Sequence, residues 1–394
     1  MKVVVVGIGI VSSLGLGVQQ NYKSLMSKQS GITPSINPRN GSKIFSGRVP
    51  YSNNELCTFI NVSKTIPRTS ILGIMAAKEA LLPLLSVDKS QYSMGFFSGT
   101  TVGGLDLSEQ FFSHYIPNKS LEELHFLNHH TCGASSNDMQ DYLPKMDYHV
   151  SYNTACSSSA NSIISGSRKL RNNDIDFALV GGSDALSEFT INGFHSLMIY
   201  DDEPCHPFDD ARKGLNLGEG AAYLLLCSEK KAVEMNLPIL CEFAGYGNAN
   251  DAFHATASSP EGKGAQLAMQ KAMDRANISP NQVSYINLHG TGTSNNDLTE
   301  GKAIEEVFQD DLPLVSSTKS YTGHTLGASG AIEAVFSCLS LTKQCAFPTL
   351  RWKNKIDGLK VKSFMDPIQQ KIDCCMSNSF GFGGFCSSLI FKKV

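Results

Sequence analysis

The chain has 394 residues, with 33 Lys and Arg against 36 Asp and Glu, a net charge of −3 and 41% hydrophobic residues. That balance excludes a nucleic-acid binder held by bulk charge and a polyacidic tail, so any basic docking patch must be local. The length fits one large domain or two of ordinary size, each with a substantial core.

Residues 2–10 form a continuous apolar strand that runs into Gly7-x-Gly9. A dinucleotide fingerprint needs a third glycine and an acidic residue about 20 positions on. Neither is present, so the stretch reads as a tight turn after a buried strand. Residues 21–27 read as a short helix, and the Gly/Pro/Ser-rich residues 32–50 as loop with a short strand. Ile71, Leu72, Met75, Ala76, Leu81 and Leu82 recur at helical spacing and predict a helix over 69–85, with Lys64 and Arg68 as charges just before it. Residues 92–101 are a strand entering a Gly/Thr turn. Residues 105–128 are rich in aromatics (Phe111, Phe112, Tyr115, Phe126). His125, His129, His130 and Cys132 cluster there at a spacing that matches no standard zinc pattern, so no metal site is expected. Further strands are predicted at 176–182, 221–227, 239–246, 283–288, 314–316, 375–379 and 387–391, and helices at 229–234, 265–276, 297–307 and 328–341. The 11 cysteines are an odd, scattered set without Cys-x-x-Cys, which points to free thiols in a reducing cytoplasm. The first residues are strand rather than a basic, then apolar, leader, and no run of about 18 uncharged apolar residues occurs, so neither secretion nor a membrane span is expected.

Three stretches carry chemistry. In Val150-Ser151-Tyr152-Asn153-Thr154-Ala155-Cys156-Ser157-Ser158-Ser159-Ala160-Asn161 an alternating run reaches one Cys and is followed by small residues. That reads as strand, sharp turn and helix, with Cys156 at the helix N-terminus, where unpaired N–H groups and the positive dipole end favour a thiolate. A short apolar strand ends in His289-Gly290-Thr291-Gly292-Thr293. Ser317-Thr318-Lys319-Ser320-Tyr321-Thr322-Gly323-His324 places a Lys five residues before a second His, at the mouth of another small-residue helix. A Cys nucleophile needs groups that stabilise its thiolate and polarise a carbonyl, and two imidazoles and an ammonium supply both.

With these motifs in this order, the chain resembles the elongating, Cys-His-His type of β-ketoacyl-acyl-carrier-protein synthase, in the thiolase-fold superfamily. The resemblance runs from Val3-Val4-Val5-Val6-Gly7 to Asn378-Ser379-Phe380-Gly381-Phe382-Gly383-Gly384. It implies an α/β fold of two pseudo-duplicated halves in five layers, αβαβα. The expected division is 1–235, carrying the nucleophile, and 236–394, carrying both His, the Lys and the Gly-rich turn. A weak internal echo agrees: Cys156 and Lys319 each follow a short strand and precede a small-residue helix.

The implied reaction is decarboxylative condensation of an acyl thioester, held on Cys156, with malonyl-acyl-carrier protein, without cofactor or metal. His289 and His324 would donate to the enolate oxygen. Lys319 would set the electrostatics around His324, supported by Glu333. The N–H groups of Cys156 and Phe382 would form the oxyanion hole, Phe382 also serving as a gate, and Thr291 and Thr293 would bind the pantetheine arm. Lys64 and Arg68 would dock the carrier protein. The partners implied are acyl and malonyl carrier proteins and a second subunit, either another copy or a chain-length-factor-like chain.

The chain departs from the family's pattern at three places. Phe385-Cys386 stands where Thr-Asn is usual, His206 stands where Arg is usual before Pro-Phe-Asp, and the 105–133 segment is unusual. These departures leave ordinary fatty-acid elongation and a specialised polyene, aryl-primed or polyketide-like pathway equally open. A non-catalytic chain-length-factor-type subunit is the main alternative, and retention of all four chemical residues argues against it. A thioesterase would need a base and a third orienting group, and a degradative thiolase a second active Cys.

Overall fold

The computed structural model describes residues 1–37, 41–63 and 65–394. Ten strands carry the architecture: β1 (Val3–Ser12), β2 (Met94–Gly99), β3 (Tyr148–Tyr152), β4 (Phe177–Asp184), β5 (Gly220–Ser228), β6 (Cys241–Asn250), β7 (Tyr285–Asn287), β8 (Leu314–Ser316), β9 (Cys374–Gly381) and β10 (Phe385–Lys392). They line up as β8-β7-β9-β10-β6-β1-β5-β4-β2-β3, with a two-residue strand, Gly15–Leu16, folded back on β1. Both halves use one order. Counting within each half, the strands run third, second, fourth, fifth, first. The pairing directions match as well: β2 is parallel to β3 and β4, as β7 is to β8 and β9, and the remaining contacts are antiparallel.

The strands of the two halves meet at one place. Val4 and Val5 of β1 pair with Glu242 and Cys241 of β6, so the two fuse into one 11-stranded sheet. The pairing spans only these two positions, and a central helical layer packs against the strands of both halves.

That layer and its flanks are set by which side of each strand is apolar. The helices used below are α1 (Arg68–Ala80), α2 (Leu105–Asn118), α3 (Ser158–Arg171), α4 (Glu188–Ser196), α5 (Lys263–Ala276), α6 (Ser294–Phe308) and α7 (Ser329–Lys343). Val3 and Val5 of β1 face a core shared with Ile163 and Ile164 of α3 and with Ile332, Val335 and Phe336 of α7. Val4 and Val6, one residue out of phase, face Ile71, Leu72 and Ile74 of α1. On the far side Met269, Met273 and Ile304 of α5 and α6 pack on Ile286, Met376 and Ile390. The period of two along the strands thus gives the five layers. α3 and α7 are buried on almost every side, which explains their small residues: Gly330, for example, leaves no room for a Cβ, which would lie 2.9 Å from Ala160.

Among the described residues no helix is long and apolar enough to cross a membrane, and the 11 cysteines are all free.

Candidate active site

The site forms where the C-terminal ends of β3, β7 and β8 and the β9–β10 turn meet. After β3 the chain turns sharply, with Ala155 at φ +51°, a conformation that side chains with a Cβ resist and that surrounding structure must hold. One hydroxyl closes the turn: Ser158 Oγ donates to the Ala155 carbonyl at 2.6 Å and accepts the Thr154 N–H at 2.9 Å. Asn161, one helical turn on, donates to Thr154 Oγ1 at 2.7 Å. The run of small polar residues after Cys156 is therefore a set of clamps on the turn.

Cys156 ends up buried, 7% exposed, under the β9–β10 turn. A Cβ at Gly381 would stand 3.0 Å from the Cys156 nitrogen, so only glycine lets the two segments approach this closely. The backbone N–H groups of Phe382 and of Cys156 itself both point at the sulfur. These are the two donors expected to form an oxyanion hole. The Cys156 thiol does not have the favoured thiolate that its helix-terminal position suggested. Burial pushes it up to about 11, and Lys319 and the two N–H groups only partly offset this.

His289 and His324 meet edge to face, with ring centroids 5.3 Å apart. Their tautomers follow from their partners. The Nδ1 of His324 accepts the Leu326 backbone N–H at 3.2 Å, and Ser329 Oγ lies 2.9 Å from the same nitrogen. A backbone N–H can only donate, so Nδ1 carries no proton and the ring's N–H is at Nε2. The Nδ1 of His289 faces the Lys319 ammonium at 3.3 Å, which assigns it the same tautomer. Burial and the charge of Lys319 hold both imidazoles well below their usual pKa, so both are neutral Nε2–H donors at neutral pH.

Lys319 lies directly behind His289, and its charge also reaches His324, the ring whose electrostatics the sequence reading expected it to set. Its Nζ donates to the His289 carbonyl at 2.6 Å and is ion-paired with Glu333, which α7 presents from the central layer. Both side chains are 2% exposed. Burial raises the Glu333 carboxyl to about 7 even beside the ammonium, so desolvation outweighs the pairing. Lys319 acts on His324 only through space.

Thr291 and Thr293 share a hydrogen bond of 2.9 Å between their hydroxyls. Both line a cavity of about 410 Å³ whose floor is Cys156, His289 and His324 and whose wall includes Phe382. The Phe382 ring stacks on Phe194 of α4, with centroids 5.7 Å apart and planes 15° apart. Gly383 and Gly384 both have positive φ, and three hydrogen bonds tie them to the 250–255 loop.

Arg68, expected to dock the carrier protein, is buried rather than presented to solvent. Its guanidinium is turned inward and held by both Glu219 oxygens, at 3.0 and 2.8 Å, with further bonds to Asn53 and to the Val49 carbonyl. Its position at the first residue of a buried helix drew it in. Lys64, the other docking candidate, lies outside the described residues. No cluster of His, Cys, Asp or Glu that could hold a metal occurs among the described residues.

Two carboxylates at the site went unnoticed in the sequence. Glu300 accepts the N–H groups of His289 and Gly290 at 2.9 and 2.8 Å and fixes the strand end that carries His289. Asp297 accepts the Gly292 N–H at 3.1 Å and the Phe208 N–H at 2.8 Å. Both sit on the buried face of α6, and an acid on an apolar helix face was the signal available.

The two halves, the nucleophile turn and the paired imidazoles define a thiolase-fold condensing enzyme. Residues 1–232 match the family model described as beta-ketoacyl synthase, N-terminal domain, and residues 240–353 match its C-terminal domain. The chain belongs to the β-ketoacyl synthase family. It is 32% identical over 413 residues to the 3-oxoacyl-[acyl-carrier-protein] synthase 2 of Vibrio harveyi, covering 100% of this chain and 99% of that one. Among solved structures it is similar to the ishigamide ketosynthase/chain length factor, with a TM-score of 0.93 at 25% identity, 100% of this chain and 99% of that one. It is also similar to the structure of the ketosynthase ApeO in complex with its chain length factor ApeC from Xenorhabdus doucetiae, with a TM-score of 0.86 at 32% identity, 100% and 98% covered.

Proposed function

We propose that this enzyme condenses an acyl group carried on Cys156 with malonyl-acyl-carrier protein, giving 3-oxoacyl-acyl-carrier protein and CO2. The carrying observation is the pair of neutral Nε2–H imidazoles lining one cavity with a buried cysteine whose sulfur faces two backbone N–H groups.

In the first half-reaction Cys156 Sγ attacks the acyl thioester, loses its proton and forms a new thioester, and the carrier protein leaves as the thiol. The oxyanion of the tetrahedral intermediate sits between the Cys156 and Phe382 N–H groups. In the second, the bond from the malonyl α-carbon to its carboxylate breaks, CO2 departs, and the electron pair forms an enolate. Its oxygen receives hydrogen bonds from His289 and His324. Imidazoles that stay neutral donate these bonds without protonating the enolate before it attacks. The α-carbon then attacks the acyl-Cys156 carbonyl, and the Cys156 thiolate is expelled and reprotonated. Lys319 and Glu333 hold His289, and Thr291 and Thr293 bind the amides of the pantetheine arm along the cavity.

The carrier-protein arm enters past Thr291 and Thr293, so the docking surface surrounds that mouth. Arg68 takes no part in it. β3 is the last strand of the sheet, with no partner on its outer edge among the described residues, and Phe112 and Ile116 of α2 are exposed. These features support pairing with a second subunit. The two solved relatives described above include a chain length factor, which makes a heterodimer a specific alternative to a homodimer. Free thiols throughout support a cytoplasmic enzyme.

Intact-mass analysis with a panel of acyl-carrier-protein thioesters tests this reading. Acyl mass is expected on wild type and not on Cys156→Ala, discharged by malonyl-carrier protein as a product two carbons longer. Loss of the acyl group to water without malonyl donor would overturn it. Loading only after addition of a chain-length-factor-like chain would establish the heterodimer.

A further inference from the structure

Asp184, the last residue of β4, is a fully buried carboxylate with no ion-pair partner among the described residues. Five neutral groups donate to it. Thr100 Oγ1 and Thr101 Oγ1 lie at 2.5 and 2.6 Å, and the N–H groups of Thr101 and Val102 at 2.9 and 3.2 Å. The fifth is the N–H of Gly327 at 2.6 Å, from the other half of the molecule. A carboxylate has about four lone-pair sites, so this one is saturated.

Gly327 follows Leu326, and Leu326 has a positive φ of +51° that its branched side chain resists. The Leu326 N–H is the group that keeps the proton off Nδ1 of His324. Gly327 also fits tightly: a Cβ there would lie 2.8 Å from the Asp184 carboxylate. The chain of contacts is continuous, from Asp184 to Gly327, from the strained Leu326 to His324 Nδ1, and so to the proton on Nε2.

We propose that Asp184 is a positioning residue for decarboxylation: by clamping the 326–328 turn across the interface between the halves, it fixes His324 as an Nε2–H donor. The inference rests on the role given to His324 above. Without the clamp Leu326 relaxes, its N–H leaves Nδ1, and the ring is free to carry its proton on the wrong nitrogen. Acyl transfer to Cys156 does not use His324 and does not need the clamp. The negative charge also acts on the thiol, because Asp184 raises the Cys156 pKa where Lys319 lowers it. Removing the charge therefore slows one half-reaction and favours the nucleophile of the other.

The test is Asp184→Asn, assayed separately for alkylation of Cys156 by iodoacetamide, for acyl loading and for decarboxylation of malonyl-carrier protein. Alkylation at pH 8 is expected to rise two- to fivefold and loading to stay within threefold, while decarboxylation falls about 30-fold. In the His324→Ala background Asp184→Asn is expected to cause no further loss of decarboxylation. Loading and decarboxylation falling in parallel would overturn the proposal, as would losses that multiply in the double variant. If His324→Ala alone decarboxylates like wild type, the assigned role of His324 fails instead, and with it the basis of the clamp. Thr101→Val removes one donor at the partly exposed edge of the cluster and serves if Asp184→Asn does not fold. It is expected to lower decarboxylation about threefold with loading unchanged, and equal losses in both would again count against the clamp.

Discussion

The turn after β3 and the turn after β8 occupy the same place in the two halves of one repeated topology. Each follows the third strand of its half and leads into a helix of the central layer. After β3 the chain needs only residues 153–157 to reach α3, and the result is one nucleophile on a tight, hydroxyl-clamped turn. After β8 it takes residues 317–328 to reach α7, and that longer path carries Lys319, His324 and the clamped Leu326. The comparison teaches that the fold supplies the position and the loop supplies the chemistry. A short junction presents a single atom, whereas a long one can build a hydrogen-bond network that sets a tautomer.

The largest effect expected is at the short junction. Cys156→Ala should abolish acyl loading and reduce condensation by roughly 10⁴-fold or more. Because the other half holds the decarboxylation apparatus, the variant should still release CO2 from malonyl-carrier protein. A variant that loses both activities would break the division of labour between the halves.

At the long junction His324→Ala, and His289→Ala at the end of β7, should each cost about 10²–10³-fold in decarboxylation, the range for removal of one oxyanion donor. Loading of Cys156 should change by far less. Measuring the two half-reactions separately sharpens the comparison, since each junction then has its own phenotype.

The pH dependence separates them again. With its folded pKa at about 11, the Cys156 thiol should be alkylated about tenfold faster per pH unit from pH 7 to 10. A plateau by pH 8 would show that the empty site favours the thiolate more than its burial allows. Both imidazoles are held well below 6.5, so they gain no proton as pH falls from 8 to 6.5. The imidazoles should therefore impose no decline across that interval. A decline near 7 belongs to the buried carboxyls of Glu333 and Glu300, both raised to about 7, whereas a decline centred near 6.5 that survives Glu333→Gln and Glu300→Gln would contradict neutral donors.

Away from both junctions, Arg68→Ala should act on stability alone. It leaves Glu219 as a buried carboxylate without its ion-pair partner, at a cost of about 3–5 kcal/mol. A thermal melt reads the loss, and the KM for acyl-carrier protein in the remaining folded enzyme should not move.

Reading the sequence reached furthest where chemistry is written in residue types. Cys156, His289, His324 and Lys319 stand at strand ends followed by small residues, and the structure brings all four within one site. It reached less far where the third dimension decides. A helix N-terminus favours a thiolate, but the cover provided by the β9–β10 turn, distant in sequence, desolvates it. Arg68 and Lys319 are both basic residues at the start of a helix and look alike in sequence. Their pairing with Glu219 and Glu333 depends on partners 151 and 14 residues away. The fusion of the two halves into one sheet rests on two residue pairs of β1 and β6, which no periodicity records.

The smallest effect expected is at Phe385, where the chain departs from the family's usual Thr. The residue is exposed, and its ring lies over Gly383, where an added Cβ would meet it at 3.0 Å. Gly383 and Gly384 both hold positive φ, so the turn that carries Phe382 has little intrinsic stiffness and is steadied from outside by this ring and by the 250–255 loop. Phe385→Thr removes the ring without touching the cavity floor. Stability should change by less than about 1 kcal/mol, since little buried surface is lost. What should change is the discrimination at the gate: loading rates for long and short primers should converge by about three- to fivefold, with decarboxylation unaffected. Unchanged primer selectivity would assign the departure at Phe385 to the surface of the turn alone and shift the search for selectivity to Cys386, which lines the cavity directly.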